Sequence, residues 1–149
     1  MNPAATNATG SPAGGRRRAI LVDLCHPAHV HFFRHPIALW RGAGHQVHIA
    51  GREKDVALPL LRELGLECTP LGRAGKGAAA LLRELMTRDV ALYRLARRVG
   101  ADVITGIGGI FAAHAAWAGR IPSVVFYDTE MATLQNALTY PLATRVVVP

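Results

Sequence analysis

Short apolar runs that alternate with segments of helical spacing constrain the fold of this chain more than any other feature. The apolar runs predict strands over 19–24, 45–51, 66–71, 101–106, 121–128 and 145–149. The segments between them predict helices over 30–42, 55–65, 78–99, 110–119 and 131–140. Strands that alternate with helices favour an α/β fold with right-handed crossovers and a parallel sheet. Such sheets bind ligands beyond the carboxyl ends of their strands, so candidate site residues are expected there.

Two prolines and one polar stretch interrupt the helical patterns. Pro36 and Pro59 would each cost on the order of 3 kcal/mol inside a helix, unless they stand in a first turn or at a kink. The first helix is therefore expected to begin near His35, with 29–34 as a looser turn. The longest helix is expected to break near 87–89, where three polar residues follow one another.

The charge balance favours an anionic partner. The 149 residues include 17 basic and 10 acidic ones, which gives a formal net charge of +7. A phosphate, a nucleotide or an anionic lipid surface reached by peripheral contact would suit this charge, and so would ordinary solvation. Nucleic acid is not expected, because no zinc-finger, helix-turn-helix or aromatic RNA-binding signature is present. A modest basic cluster consists of Arg52, Lys54, Arg73 and Lys76.

Residues 1–18 are interpreted as a disordered tail, because no apolar segment long enough for a signal peptide follows them. The apolar runs are far too short to span a bilayer. The two cysteines, Cys25 and Cys68, suggest no disulfide framework, and a cytoplasmic location fits them. Residues 19–149 are long enough for one domain with a core. Since no helix follows the last strand, we expect this domain to be the truncated first half of a two-domain protein.

The string LVDLCHPAHVHFF, from Leu21 to Phe33, places three histidines beside an acid and a thiol at the exit of the first strand. A metal site would need three or four ligands, and Pro27 between two of the histidines argues against a regular metal-binding helix. One histidine could instead act as a general base at the ligand edge. Alternatively, the histidines cap the first helix and hold the turn. The polar members of the string are Asp23, Cys25, His26, His29 and His31.

Glycines follow the fourth strand in the stretch GIGGI, residues 106–110. Such glycines allow backbone amides to face an anion at the positive end of the next helix. Equally, they allow strand and helix to pack closely. Their spacing is not that of the dinucleotide fingerprint, which follows the first strand of a sheet rather than the fourth. A nicotinamide cofactor is therefore not expected, and no other cofactor is predicted.

Two carboxylates, Asp128 and Glu130, follow the fifth strand in the stretch YDTE. They could orient sugar hydroxyls or act as an acid and base pair, or they could cap and begin the next helix. Asn136 is either a ligand contact or a surface residue. The basic loop GRAGKG, 72–77, suits an anion but lacks the phosphate-loop pattern. Cys25 is a weak nucleophile candidate, because no triad accompanies it.

Three strings, in this order, resemble the amino-terminal half of domain-of-unknown-function family 354. They are ILVDLCHPAHVHFF, GHQVHIAGREKDVALPLLRELGL and the stretch from Ala101 to Pro149, so the resemblance covers about 19–149. The strings HPAHVHFF and DTE make it specific. That family is similar to GT-B glycosyltransferases and to UDP-N-acetylglucosamine 2-epimerases. The resemblance implies a Rossmann-like parallel sheet with helices on both faces, as the first domain of a two-domain GT-B-like architecture.

The resemblance also implies roles for single residues. His29 matches the histidine in the loop after strand one of the glycosyltransferases, which makes it the candidate catalytic base. The glycines of 106–110 match a second glycine loop, a candidate contact for the acceptor or a pyrophosphate. His26 stands where the transferases have a glycine, and no metal ligand is implied. The candidate ligand-binding residues are His26, Gly106, Gly108, Gly109, Asp128, Glu130, Arg52 and Lys76.

The leading functional expectation is the acceptor-side domain of a GT-B-like glycosyltransferase. It would act on a nucleotide-sugar donor and a phosphorylated or lipid-linked acceptor, and it would be inactive alone because the second domain holds the donor. One alternative is a non-catalytic module that binds anions or sugar phosphates. Another is an epimerase-like enzyme, although the epimerase signature GTRPE is absent after strand one. A third is a metal-dependent hydrolase built on the histidines.

Overall fold

The structure is a computed structural model and describes residues 16–52, 57–72, 78–127 and 133–148. Six strands and five helices alternate within these residues. The strands are β1 (Ala19–Leu24), β2 (Gln46–Gly51), β3 (Thr69–Pro70), β4 (Val103–Ile107), β5 (Ser123–Phe126) and β6 (Arg145–Val147). The helices are α1 (Pro27–Gly42), α2 (Ala57–Glu63), α3 (Ala78–Val99), α4 (Ile110–Gly119) and α5 (Thr133–Thr139).

All the strands run parallel in one sheet with the order β3-β2-β1-β4-β5-β6. The chain builds outward from β1 to β3, then crosses back and builds outward from β4 to β6. The order therefore reverses between β1 and β4, where the register pairs Asp23 with Gly106. In a Rossmann-like sheet the ligand crevice opens at this reversal, beyond the carboxyl ends of the two strands. The predicted fold class is confirmed.

Helices cover both faces of the sheet, and β1 is buried along its whole length, as expected for a central parallel strand. On one face, strand residues pack against α1 and α2. This cluster consists of Ile20, Val22, Leu24, Val30, Phe33, Ile37, Ile49 and Leu61. On the other face, alternate strand residues pack against α3 and α4. This cluster includes Leu21, Ala50, Leu92, Leu95, Ala96, Ile104, Ala112, Ala115 and Ala116.

The first helix begins at Pro27, so the looser turn expected over 29–34 and the start expected near His35 are both wrong. His26 caps the helix, because its Nδ1 atom accepts a hydrogen bond of 3.2 Å from the Ala28 N–H. Pro27 takes the first helical position, where a missing N–H costs no hydrogen bond. His26 and Pro27 thus form a complete signal for the start of a helix, two turns before the start expected near His35.

Pro36 lies inside α1 without ending it. An interior proline costs about 3 kcal/mol. The same helix buries Val30, Phe33 and Ile37 against the sheet, and each fully buried side chain of this kind contributes roughly 1.5–3 kcal/mol. The burial exceeds the cost, so the helix continues past the proline.

Two other predictions differ from the structure. The helix α3 runs unbroken through 87–89, because Arg88 is buried rather than turned to solvent. The strand β3 has two residues instead of the six predicted over 66–71. Pro59 is the third residue of α2, in the first turn, where the sequence analysis allowed a proline. The helix α4 spans the predicted 110–119.

Residues 1–15 of the expected tail lie outside the described part of the chain. Arg18 is described, and it is already bound to the domain: its carbonyl accepts a hydrogen bond from the Gln46 N–H at 2.8 Å. None of the described helices has the length and apolar character needed to cross a bilayer.

Candidate functional site

The candidate site lies where the exits of β1 and β4 meet. Two of the predicted residues, His26 and His29, stand in the first turn of α1, with ring centroids 5.9 Å apart. The Nδ1 atom of His29 accepts a hydrogen bond of 3.3 Å from the Cys25 N–H. His31 points outward from the same helix and is exposed. The structure therefore brings His26 and His29 together at the ligand edge and separates His31 from them.

The hydrogen bonds to His26 and His29 determine where each neutral ring carries its proton. A backbone N–H donates to Nδ1 in both rings, and a nitrogen that accepts such a bond has no proton of its own. The proton of the neutral ring is then on Nε2. Each histidine therefore has its lone pair on Nδ1 and its N–H on Nε2. If His29 acts as a base, it uses the lone pair on Nδ1, which accepts the hydrogen bond from the Cys25 N–H.

A buried ion pair lies directly below this turn. The Nη2 atom of Arg88, on α3, is 2.5 Å from Oδ1 of Asp23, at the end of β1. The two side chains are 0% and 2% exposed. Arg88 also donates to the Leu71 carbonyl and lies over the Phe111 ring, 4.9 Å from its centroid. One side chain thus joins α3, α4, the exit of β1 and the exit of β3.

Charge and burial oppose each other in this pair. Burial raises the pKa of Asp23, against the lowering effect of the Arg88 guanidinium. Burial is the largest single influence and lowers the pKa of Arg88, but the interactions with Asp23 and Cys25 together outweigh it, so the pKa of Arg88 lies above its usual value. Arg88 is therefore a permanent buried cation at the ligand edge.

Cys25 contacts both members of the pair. Arg88 Nη2 donates to its Sγ at 3.4 Å, and the thiol donates to Asp23 Oδ2 at 3.6 Å. Burial, with the Asp23 charge adding to it, raises the pKa of Cys25 to about 12. Only the thiolate is nucleophilic, so the neutral thiol at this site does not support Cys25 as a nucleophile.

Arg88 was missed by the sequence analysis, although a signal was present. It lies four residues before Leu92 and seven before Leu95, so all three share one helix face. Both leucines are buried. An arginine in register with a buried helix face, opposite a strand whose second-last residue is an aspartate, predicts a buried ion pair.

The glycines at the end of β4 and in the loop after it meet two structural needs, close packing and a positive φ. A Cβ atom at Gly106 would lie 3.0 Å from the Asp23 carbonyl oxygen, and one at Gly109 would lie 2.9 Å from Cγ1 of Val125. Gly108 has a φ of +59°, which favours glycine. The close packing predicted as one reason for these glycines is thus present.

The helix α5 holds the glycine loop from below. Gln135 Nε2 donates to the Gly108 carbonyl at 2.5 Å. Behind it, His114 of α4 contacts two acceptors: Asp89 Oδ2 is 2.7 Å from Nδ1, and the Leu138 carbonyl is 3.1 Å from Nε2. Burial raises the pKa of Asp89, against the effect of its bond to His114. His114, a lone polar residue in an apolar helix of small residues, was not among the predicted site residues.

The remaining predicted ligand contacts fall at neighbouring exits or outside the described residues. The Arg52 N–H donates to the Leu24 carbonyl at 3.3 Å, which places Arg52 beside the end of β1, and its charge lowers the pKa of Asp23. Asn136 is half-buried on α5. Within the described ranges, no three His, Cys, Asp or Glu side chains are grouped so as to hold a metal ion. Outside the described residues lie Lys54, Arg73, Lys76, Asp128 and Glu130.

Solved structures of sugar-transferring and sugar-epimerising enzymes share this fold. MurG from Acinetobacter baumannii matches with a TM-score of 0.74 and 15% identity, over 88% of this chain and 41% of MurG. The UDP-GlcNAc 2-epimerase from Methanocaldococcus jannaschii matches with a TM-score of 0.68 and 13% identity, over 88% and 39% of the two chains. The Streptomyces sp. SF2575 glycosyltransferase SsfS6, complexed with thymidine diphosphate, gives 0.62 and 15%, over 87% and 46%. At such identities the likeness shows the GT-B-like fold alone.

A sequence relative and a family model connect the chain to one family. An uncharacterized protein from Methanocaldococcus jannaschii is 25% identical over 130 residues, which are 87% of this chain and 38% of the relative. The chain thus spans about two fifths of the length of the proteins it matches. The model of the family described as "Protein of unknown function (DUF354)" matches residues 18–149, and the chain belongs to this family.

Proposed function

We propose that this domain forms the acceptor side of a GT-B-like glycosyltransferase that uses a nucleotide-sugar donor. The observation that carries the proposal is the meeting of the His26–His29 turn with the glycine loop 106–109 at the reversal of strand order. A crevice at this point is where parallel sheets bind ligands. The likeness to glycosyltransferases, one of them complexed with thymidine diphosphate, supports a nucleotide-linked donor.

His29 is proposed as the residue that takes the proton from the acceptor hydroxyl. As the bond from acceptor oxygen to sugar carbon forms, the bond from that carbon to the nucleotide diphosphate breaks, and the hydroxyl proton passes to a base. The lone pair of the neutral His29 ring is on Nδ1, 3.3 Å from the Cys25 nitrogen. A bond of this length is longer than usual for an N–H donor, so the His29 ring can turn its Nδ1 atom from the fixed Cys25 N–H towards an incoming hydroxyl.

The proposed acceptor is lipid-linked, because one exposed stripe of α3 combines cationic and apolar side chains. Met86 and Val90 are 64% and 46% exposed, and Trp117 of α4, 64% exposed, shares a groove of about 390 Å³ with Val90. Basic and apolar residues on one solvent-facing stripe suit an anionic membrane surface. The stripe consists of Arg83, Met86, Val90, Arg94 and Arg97.

The test of the catalytic proposal uses the full-length protein that carries this domain, with nucleotide-sugar donors and phosphorylated or lipid-linked acceptors. His29→Asn keeps an amide oxygen where Nδ1 accepts from Cys25 but offers no basic nitrogen. Its turnover is expected to fall by roughly 10²–10⁴-fold. His31→Gln, on the exposed side of the same helix, is the control and should retain turnover. Full activity of a folded His29→Asn protein would exclude the base role. Epimerised free nucleotide sugar without transfer would instead indicate an epimerase.

The acceptor proposal is tested by sedimentation with vesicles. The full-length protein should bind vesicles that contain anionic lipid more strongly than vesicles of phosphatidylcholine alone. Val90→Glu should weaken this binding, whereas Leu39→Glu should not, because Leu39 is 73% exposed on α1, outside the stripe. Equal loss in both variants, or no preference for anionic vesicles, would contradict a membrane-facing stripe.

A further inference from the structure

The Asp23–Arg88 pair needs a reason beyond stability. Replacing a buried ion pair by well-packed apolar residues is often neutral or stabilising, so its presence is weak evidence for a stabilising role. Here the pair sits at the ligand edge, and the Nε atom of Arg88 is buried without a hydrogen-bond partner among the described residues. The free-energy cost of burying this ion pair indicates that the neighbouring site requires it.

A continuous set of contacts leads from Arg88 to His29. The guanidinium reaches both Oδ1 of Asp23 and Sγ of Cys25, and the Cys25 thiol donates to the other oxygen of Asp23. These contacts fix Cys25 on the side of α3. The same residue directs its backbone N–H at Nδ1 of His29. The side chain of Cys25 is thus held by the ion pair while its backbone holds the histidine.

We propose that Arg88 is a positioning residue that sets the protonation of the His29 ring. By holding Cys25, it keeps a backbone N–H at Nδ1 and so confines the proton of the neutral ring to Nε2. Without Arg88 the Cys25 turn is free to move, and the ring distributes between its two neutral forms. The catalytic consequence rests on the proposed function: only the form with the lone pair on Nδ1 can receive the acceptor proton as described above.

The direct test is the state of the His29 ring in the full-length protein labelled with ¹⁵N-histidine. Long-range ¹H–¹⁵N spectra above the ring pKa distinguish a bare nitrogen from one that carries a proton. The wild-type ring should show a bare Nδ1. Arg88→Met should shift the Nδ1 signal towards the average of two forms. Arg98→Met, exposed on the same helix and outside the stripe, should leave the signal unchanged. A protonated Nδ1 in the wild-type protein, or an unshifted ring in folded Arg88→Met, would overturn the proposal.

A second variant covers the case in which Arg88→Met does not fold. Cys25→Ala removes the thiol that Arg88 holds and retains both the ion pair and the backbone N–H. Its His29 ring should shift in the same direction as in Arg88→Met, and an unshifted ring would again overturn the proposal.

Kinetics separate positioning from a general loss of structure. Arg88→Met should lower turnover by roughly 10- to 100-fold with little change in KM. Arg88→Lys keeps one cationic nitrogen that can face Asp23 and Cys25, as Nη2 does, but it loses Nη1, which donates to the Leu71 carbonyl. It should recover part of both the turnover and the wild-type ring state. If the ring shifts as expected in a protein that transfers no sugar, the proposed function fails while the positioning role stands.

Discussion

Gly106 of β4 lies so close to Asp23 of β1 that a Cβ atom added to it would stand 3.0 Å from the Asp23 carbonyl oxygen. The two residues are also partners in the register between these strands. The contact couples the backbone of the glycine loop to the strand that ends in the buried ion pair. The two halves of the candidate site are therefore in direct contact at their base.

Gly106→Ala should reduce the free energy of unfolding by about 1–3 kcal/mol, because neither backbone can yield without disturbing the sheet. Urea unfolding followed by circular dichroism measures the change. Gly42→Ala is the control, since nothing lies within 4 Å of a Cβ atom there, and its effect should stay within about 0.5 kcal/mol. Equal stability of the two variants would show that the strands separate more easily than the packing indicates.

Gln135→Ala should loosen the glycine loop. The amide of Gln135 donates to the Gly108 carbonyl at 2.5 Å, and loss of one such bond costs about 0.5–1.5 kcal/mol. Amide hydrogen exchange of 108–113 should accelerate. The neighbouring Leu134→Ala is the control, because Leu134 is 75% exposed. Equal acceleration in both variants would show that the whole of α5 holds the glycine loop, rather than the hydrogen bond of Gln135.

His114→Ala should detach α5 from α4. The ring of His114 joins Asp89 to the Leu138 carbonyl, and its removal leaves the partly buried Asp89 carboxylate without this partner, at a cost of about 1–3 kcal/mol. Thermal unfolding measures the loss. The exposed His31→Ala on α1 should be within about 0.5 kcal/mol of the wild type. A similar melting temperature for both variants would contradict a structural role for His114.

The stability of the domain should fall in alkaline solution because of Cys25. Its pKa is about 12 in the folded chain, compared with an ordinary 9.0. The folded state therefore holds the thiol proton more tightly than the unfolded state. The resulting stability is complete below pH 9 and is lost as the pH rises towards 12. Near pH 10.5 the loss due to this thiol is on the order of 1–2 kcal/mol.

Urea unfolding at about pH 8 and about pH 10.5 measures this loss. Other groups also titrate in this range: burial raises the pKa of Cys68 to about 11. The comparison is therefore with Cys25→Ala, which should lose less stability between the two pH values than the wild type. An identical loss in both proteins would show that the Cys25 thiol ionises alike in the folded and unfolded states.

The sequence predicted the fold class because short apolar runs and helical periodicity alternate without ambiguity. The bounds of α4 were predicted correctly, since glycines stand at both of its ends. The start of α1 was missed because Pro36 received more weight than the cap at His26 and the proline at the first helical position. By periodicity alone, one proline is expected to break the helix. In the structure, the burial of three apolar side chains stabilises the helix by more than the proline costs.

The candidate site was predicted less completely than the fold. The exits of β1 and β4 were identified as places for ligand contacts, but strand order, which brings them together, depends on long-range pairing that periodicity does not encode. Arg88 lies 65 positions from Asp23. A polar residue in a helix is ordinarily assigned to solvent, and only the position of Arg88 in register with buried leucines contradicts that assignment.

The sheet order has one more consequence. Two strands lie between the reversal and each outermost strand, β3 at one side and β6 at the other. Both are short, with two and three residues, and neighbouring strands are about 4.8 Å apart. The β6 border is three strand spacings from β1, roughly 14 Å, so fraying there, or pairing with another polypeptide, takes place away from the histidine turn. The β3 border is two spacings away, but it is linked to the site through the bond from Arg88 to the Leu71 carbonyl. The β6 border can therefore vary while the geometry at the centre of the sheet is preserved.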